Sequence, residues 1–154
     1  MLPRMQPAPV LALHITFGAI GLVLGPVAMT ARKRPGRHAR AGEIYHWNML
    51  GLCISAGVMA ALDWKNDWFF LPLGVFSYAF ALEGYLAAKI RWRNWLPFHV
   101  AGQGGSYIAM TTALLVVNFG IPAWWAWILP TVIGSPILVW LNREIVAGRR
   151  PLPA

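Results

Sequence analysis

Apolar residues in this chain run in long blocks; neither the strict alternation of a half-buried strand nor the narrow stripe of a water-soluble helix is present. Five blocks predict helices, over residues 8–31, 44–62, 68–88, 98–117 and 122–141. Each comes close to or exceeds the roughly 20 residues needed to cross a hydrocarbon core about 30 Å thick. The pattern therefore predicts an all-α fold: a polytopic transmembrane helical bundle of five helices in one integral-membrane domain, residues 1–154. Prolines agree with it, falling where blocks begin (Pro9, Pro72, Pro97, Pro122) or interrupting them (Pro26, Pro130, Pro136). The first block is longer than the apolar part of a signal peptide and runs into Arg32, Lys33 and Arg34, so it is expected to stay as a helix.

Charge supplies the orientation. The connection after the first block holds Arg32, Lys33, Arg34, Arg37 and Arg40, and the one after the third holds Lys89, Arg91 and Arg93. The C-terminal tail adds Arg143, Arg149 and Arg150, leaving Arg4 and Lys65 for the other side. Basic residues collect on the cytoplasmic side of bacterial membrane proteins, which predicts N-out, C-in and a place in the inner membrane. Four spans would put basic loops on both sides or make one block re-entrant. Trp64, Trp68, Trp124, Trp125 and Trp127 mark the outer boundary; Trp47, Trp92, Trp95 and Trp140 mark the inner one.

Composition narrows the class further. Only 12% of residues are charged and 58% are hydrophobic, against about 25% charged in soluble domains. A 154-residue core cannot hide that excess, so the lipid bilayer is the expected partner. The net charge of +8 does not indicate nucleic acid, because the basic residues sit in short runs between apolar blocks. A lone cysteine, Cys53, permits no intrachain disulfide and reads as an apolar filler. Small residues recur at helical spacing: Gly18, Gly21 and Gly25; Ser77, Ala81, Gly84 and Ala88; Gly102, Ser106, Ala109 and Ala113. They predict close helix packing within the bundle or in a homo-oligomer.

Polar side chains inside the blocks are the candidate chemistry, since lipid penalises them. His46, Glu83 and His99 lie at a similar level near the cytoplasmic ends of their helices. His14 lies alone, roughly 8 Å from the outer edge. His99, Gln103, Ser106 and Met110 share one helix face, flanked by Tyr107 and Thr111; His46, Met49 and Cys53 share another. Converging faces would make a histidine-containing polar site open to the cytoplasm. His46 and His99, with His14 as a further candidate, could bind b-type haem beside glycines that leave room for the ring. His46, Glu83 and His99 could instead hold a divalent metal, or copper with Met49, Cys53 and Met110 as softer donors. A carboxylate among histidines could also relay protons in a small transporter. The plainer uses are a carbonyl, headgroup or water for each terminal histidine, Lys89 or Arg91 for Glu83, and an interhelical hydrogen bond for His14. No metalloprotease, zinc, phosphate-loop, dinucleotide or serine-hydrolase motif is present, so catalytic residues are not assigned.

Two motif blocks carry a family resemblance. His14-x-x-x-Gly18 leading to Gly25-Pro26 and then to the run from Arg37 to Tyr45, together with the run from Phe98 to Ala109, resembles the bacterial membrane family called domain of unknown function 2306. The likeness covers roughly residues 10 to 118; Gln103 departs from it, standing where that family carries an apolar residue, often Met. The resemblance implies a multi-pass bacterial membrane protein and brings no activity or cofactor. It singles out His14, His38, Gly42, Tyr45, His99, Ser106 and Tyr107, and adds His38 to the metal candidates. The expected function is an inner-membrane protein with a polar histidine site near the cytoplasmic face. Its rivals are a haem- or metal-binding redox protein, a proton-coupled transporter and an accessory subunit of a membrane complex.

Overall fold

The computed structural model describes residues 7–31 and 36–149. Six helices follow in chain order: α1 Ala8–Thr30, α2 Arg37–Leu62, α3 Trp64–Asp67, α4 Phe70–Ile90, α5 Trp95–Phe119 and α6 Trp124–Val146. All but the single-turn α3 are long and apolar enough to cross a bilayer. Their 21 to 26 residues give lengths of about 31–39 Å. This is an all-α, multi-pass membrane protein.

Helix and apolar block do not end together. α2 begins at Arg37, seven residues before the block that marks it. Ala39, Arg40 and Ala41 are good helix formers, and nothing stops the helix where the lipid ends. Hydropathy measures the bilayer; backbone hydrogen bonding continues into water. At the other end Asp63 leads into α3, where Asn66 Nδ2 donates to Asp63 Oδ1 at 2.8 Å. The α4–α5 connection is tight, with Arg91 and Asn94 both left-handed at φ 53 and 62.

The bundle has two ends: the amino end, where α1 starts, and the hairpin end, where α1 gives way to α2. Arg37, Arg40, Lys89, Arg91, Arg93, Arg143 and Arg149 lie at the hairpin end, and Lys65 at the amino end. α1 packs on α2, α2 on α4, α4 on α5 and α5 on α6, whereas α1 and α5 touch only narrowly. α1, α2, α4 and α5 thus form a ring whose seam lies between α1 and α5. α6 lies outside it against α5, with Ala126 its one buried residue.

The α4–α5 contact is the most intimate. A Cβ on Gly102 would stand 2.5 Å from the Gly84 backbone nitrogen and 2.6 Å from the Phe80 carbonyl. Only hydrogen at both positions lets the two backbones cross so closely, as the small-residue pattern implies. The core is small: Tyr45, Met49, Leu52, Ala81 and Met110. Side chains such as Val23, Phe76 and Ile133 point outward and more than half exposed. In water these faces would drive aggregation; in a bilayer they meet acyl chains.

Candidate functional site

Polar side chains expected to form one site act mostly as ties between neighbouring helices. His38 Nδ1 on α2 lies 2.8 Å from the Ala28 carbonyl of α1, and His99 Nδ1 on α5 lies 2.8 Å from the Gly84 carbonyl of α4. A carbonyl only accepts, so both Nδ1 atoms carry protons. The two rings meet edge to face, 6.0 Å between centroids. Gln103 Nε2 donates to the Ala81 carbonyl at 2.9 Å, and Tyr107 Oη donates to the Leu22 carbonyl at 3.3 Å. Asn48 Nδ2 donates to the Phe17 carbonyl at 2.8 Å. Such bonds average about 0.6 kcal/mol each in membrane proteins.

Tyr45 and Ser106 join α2 to α5 at 3.0 Å. The Ser106 proton goes to the Gln103 carbonyl, 2.8 Å away. Tyr45 is therefore the donor.

His46 has different company. Its ring lies flat on Tyr85, 3.9 Å between centroids at 9°, with Trp47 and Tyr78 beside it. Its Nδ1 is buried and makes no hydrogen bond among the described residues. Beyond Tyr85 lies Glu43, which accepts from Tyr85 Oη at 2.8 Å and Trp47 Nε1 at 3.2 Å, and pairs with Lys89 at 2.7 Å. Lys89 thus goes to Glu43, not to the Glu83 expected from the sequence.

Glu83 lines a separate surface groove with Phe76, Ala79 and Phe80. The four expected metal donors are therefore divided: His38 beside His99, His46 on Tyr85, and Glu83 in its groove. Among the described residues no three His, Cys, Asp or Glu side chains gather as a ligand set. The reason is rotational. Residues at one depth share a site only when their helices turn the same face inward, and α4 turns Ser77, Ala81, Gly84 and Ala87 inward instead.

A larger cleft lies toward the amino end, away from His46, Glu83 and His99. In the hairpin half the α1–α5 seam is shut: the Tyr107 ring fills the place a side chain on Gly25 would take, and Met110 and Asn48 press on Gly21. In the amino half the helices part around a cleft of about 520 Å³. Leu11 to Leu22 of α1, Met49 to Ala60 of α2, Phe70 to Ser77 of α4 and Met110 to Asn118 of α5 contribute its walls, with Asp67 of α3. Most of the lining is aliphatic, aromatic or thioether. His14, Cys53, Asp67, Ser77 and Asn118 are the exceptions. Neither His46 nor His99 borders it.

His14 stands on this wall, its Nδ1 3.0 Å from Ser55 Oγ on α2. Ser55, like Asn48 and Glu43, was not singled out from the sequence. A signal existed: in antiparallel α1 and α2, His14 lies six residues inside Ala8 and Ser55 seven inside Leu62, the same depth. Compared with known proteins, the chain matches no family model, no curated protein and no solved structure.

Proposed function

We propose that this chain is a bacterial inner-membrane protein, with its amino end outside and its C-terminus in the cytoplasm, that binds a lipophilic small molecule from the outer leaflet. The observation that carries the reading is the cleft of about 520 Å³ where α1 and α5 part. Its size falls within the range of small-molecule sites, roughly 300–1,000 Å³, and it has their character: an apolar lining with a few polar groups. Its neighbourhood is hydrocarbon, so a ligand reaches it by lateral diffusion and shares the chemistry of lipid. The excess of basic residues at the hairpin end supports the orientation. The motif resemblance to domain of unknown function 2306 supports the bacterial membrane setting.

Binding of 4-dodecylanisole, an apolar probe with no hydrogen-bond donor, to the purified chain in lipid nanodiscs tests the reading. Saturable binding to the native chain is expected, lost when Ala113→Trp fills the cleft and kept when the lipid-facing Ile133→Trp is made. Binding that Ala113→Trp leaves unchanged would overturn the cleft as the site.

A further inference from the structure

Most of the polar protons along the cleft wall are already spent. Ser55 has one hydroxyl proton, and it goes to the Leu52 carbonyl at 2.8 Å. The 3.0 Å contact between Ser55 Oγ and His14 Nδ1 therefore needs its proton from the imidazole. That fixes the tautomer: in the neutral ring Nδ1 carries hydrogen and Nε2 carries the lone pair. The ring also lies beside the Leu52 carbonyl, an acceptor that suits a protonated Nδ1, and it borders the cleft, where Nε2 is the nitrogen left for a ligand.

Ser77 and Asn118 follow the same rule. Ser77 Oγ donates back to the Leu73 carbonyl at 2.7 Å, and Asn118 Nδ2 donates back to the Leu114 carbonyl at 2.7 Å. What they present toward a ligand, together with the Asp67 carboxylate, is mostly lone pairs: the Ser77 hydroxyl oxygen, the Asn118 amide oxygen, the Asp67 oxygens and His14 Nε2. The donors left over are the second Asn118 amide proton and the weak thiol of Cys53. Among the described residues no lysine or arginine lines the cleft. A head that only accepts, such as a ketone, ester or ether, would meet lone pairs facing lone pairs. A head that donates would find partners.

From this we propose that the cleft selects lipophilic alcohols or phenols, an apolar body whose hydroxyl donates to His14 Nε2, in preference to the same molecule with its oxygen capped. The proposal rests on the cleft being the ligand site. It assigns His14 to ligand recognition, with Ser55 as the residue that positions the ring.

A matched pair of probes tests it: 4-dodecylphenol and its methyl ether, 4-dodecylanisole, titrated by native mass spectrometry into the full chain in lipid nanodiscs. One net hydrogen bond predicts that the phenol binds about three- to tenfold more tightly than the ether. His14→Phe should bring the phenol down to the affinity of the ether and leave the ether within about twofold of its original value. The preference in the native chain is informative without any variant, so a misfolded substitution does not decide the matter. Equal affinity for the two probes, with both still displaced by Ala113→Trp, would overturn the role of His14 while the cleft stands. Failure of both probes to bind, or binding indifferent to Ala113→Trp, would overturn the cleft and this inference with it.

Discussion

Tyr45 of α2 donates its hydroxyl proton to Ser106 of α5 at 3.0 Å, and Ser106 passes its own proton to the Gln103 carbonyl. A directed chain of two hydrogen bonds thus crosses the core from one helix into the backbone of another. α2 and α5 lie across the ring from each other, so this contact spans it. Tyr45→Phe should lower stability by about 0.6 kcal/mol and at most about 1.7 kcal/mol, the range of single interhelical bonds in membranes. Ser106→Ala should cost more, about 1–3 kcal/mol, because it leaves the Tyr45 hydroxyl buried without an acceptor. A double-mutant cycle, read as unfolding free energy in detergent, should show that the two losses do not add. Strict additivity would mean that the two residues act independently.

The spans were legible in the sequence because lipid imposes a length and a composition that single residues cannot blur. Five blocks became five long helices. Their ends were less legible: α2 starts at Arg37 and α5 at Trp95, both ahead of their apolar blocks. The site was legible in depth and not in rotation. His99 and Glu83 share a level, yet His99 ties α5 to α4 while Glu83 sits in an outward groove. Rotation is set by which small residues let helices approach, here Gly84 and Gly102, and that choice is a property of the packed pair. The cleft was hidden for the same reason, being the place where two helices fail to meet.

Glycines separate into those that hold helices together and those that do not. Gly102→Val would drive a branched side chain into the α4 backbone, which cannot give way as a flexible side chain can. Overpacking of this kind costs about 1–3 kcal/mol or more. Gly42, although a position of the motif, has nothing within 4 Å of where its Cβ would stand. Gly42→Ala should raise stability by about 0.5–1 kcal/mol through helix propensity. Thermal melts of both variants in detergent check the contrast; a destabilised Gly42→Ala would point to an unseen neighbour at that face.

Orientation is testable in intact cells. In a Cys53→Ala background, Lys65→Cys places a thiol on α3 at the amino end, and Arg93→Cys places one in the α4–α5 turn. A membrane-impermeant maleimide should label position 65 from outside and position 93 only after permeabilisation. The reverse pattern would put the basic connections outside and remove the outer leaflet as the source of ligand.

His46 gives the sharpest test of whether the hairpin end holds more than packing. Its imidazole stacks flat on Tyr85 and its Nδ1 is buried without a hydrogen bond among the described residues. The ring also lies beside the Ala81 carbonyl, which accepts from Gln103 at 2.9 Å and keeps a second lone pair for the imidazole. If stacking is its whole contribution, an apolar ring of similar shape should serve as well, since replacing an unsatisfied polar group by a matching apolar one is near neutral or stabilising. His46→Phe should then unfold within about 1 kcal/mol of the native chain, while His46→Ala, which leaves a hole against Tyr85, should lose about 2–4 kcal/mol. If Nδ1 instead serves a haem, a metal ion or a relayed proton, Phe is no better a substitute than Ala for that purpose. The two variants should then fall together, and the visible spectrum or metal content of the native protein should change with both. A stable, spectroscopically unaltered His46→Phe protein would confine the role of His46 to packing against Tyr85.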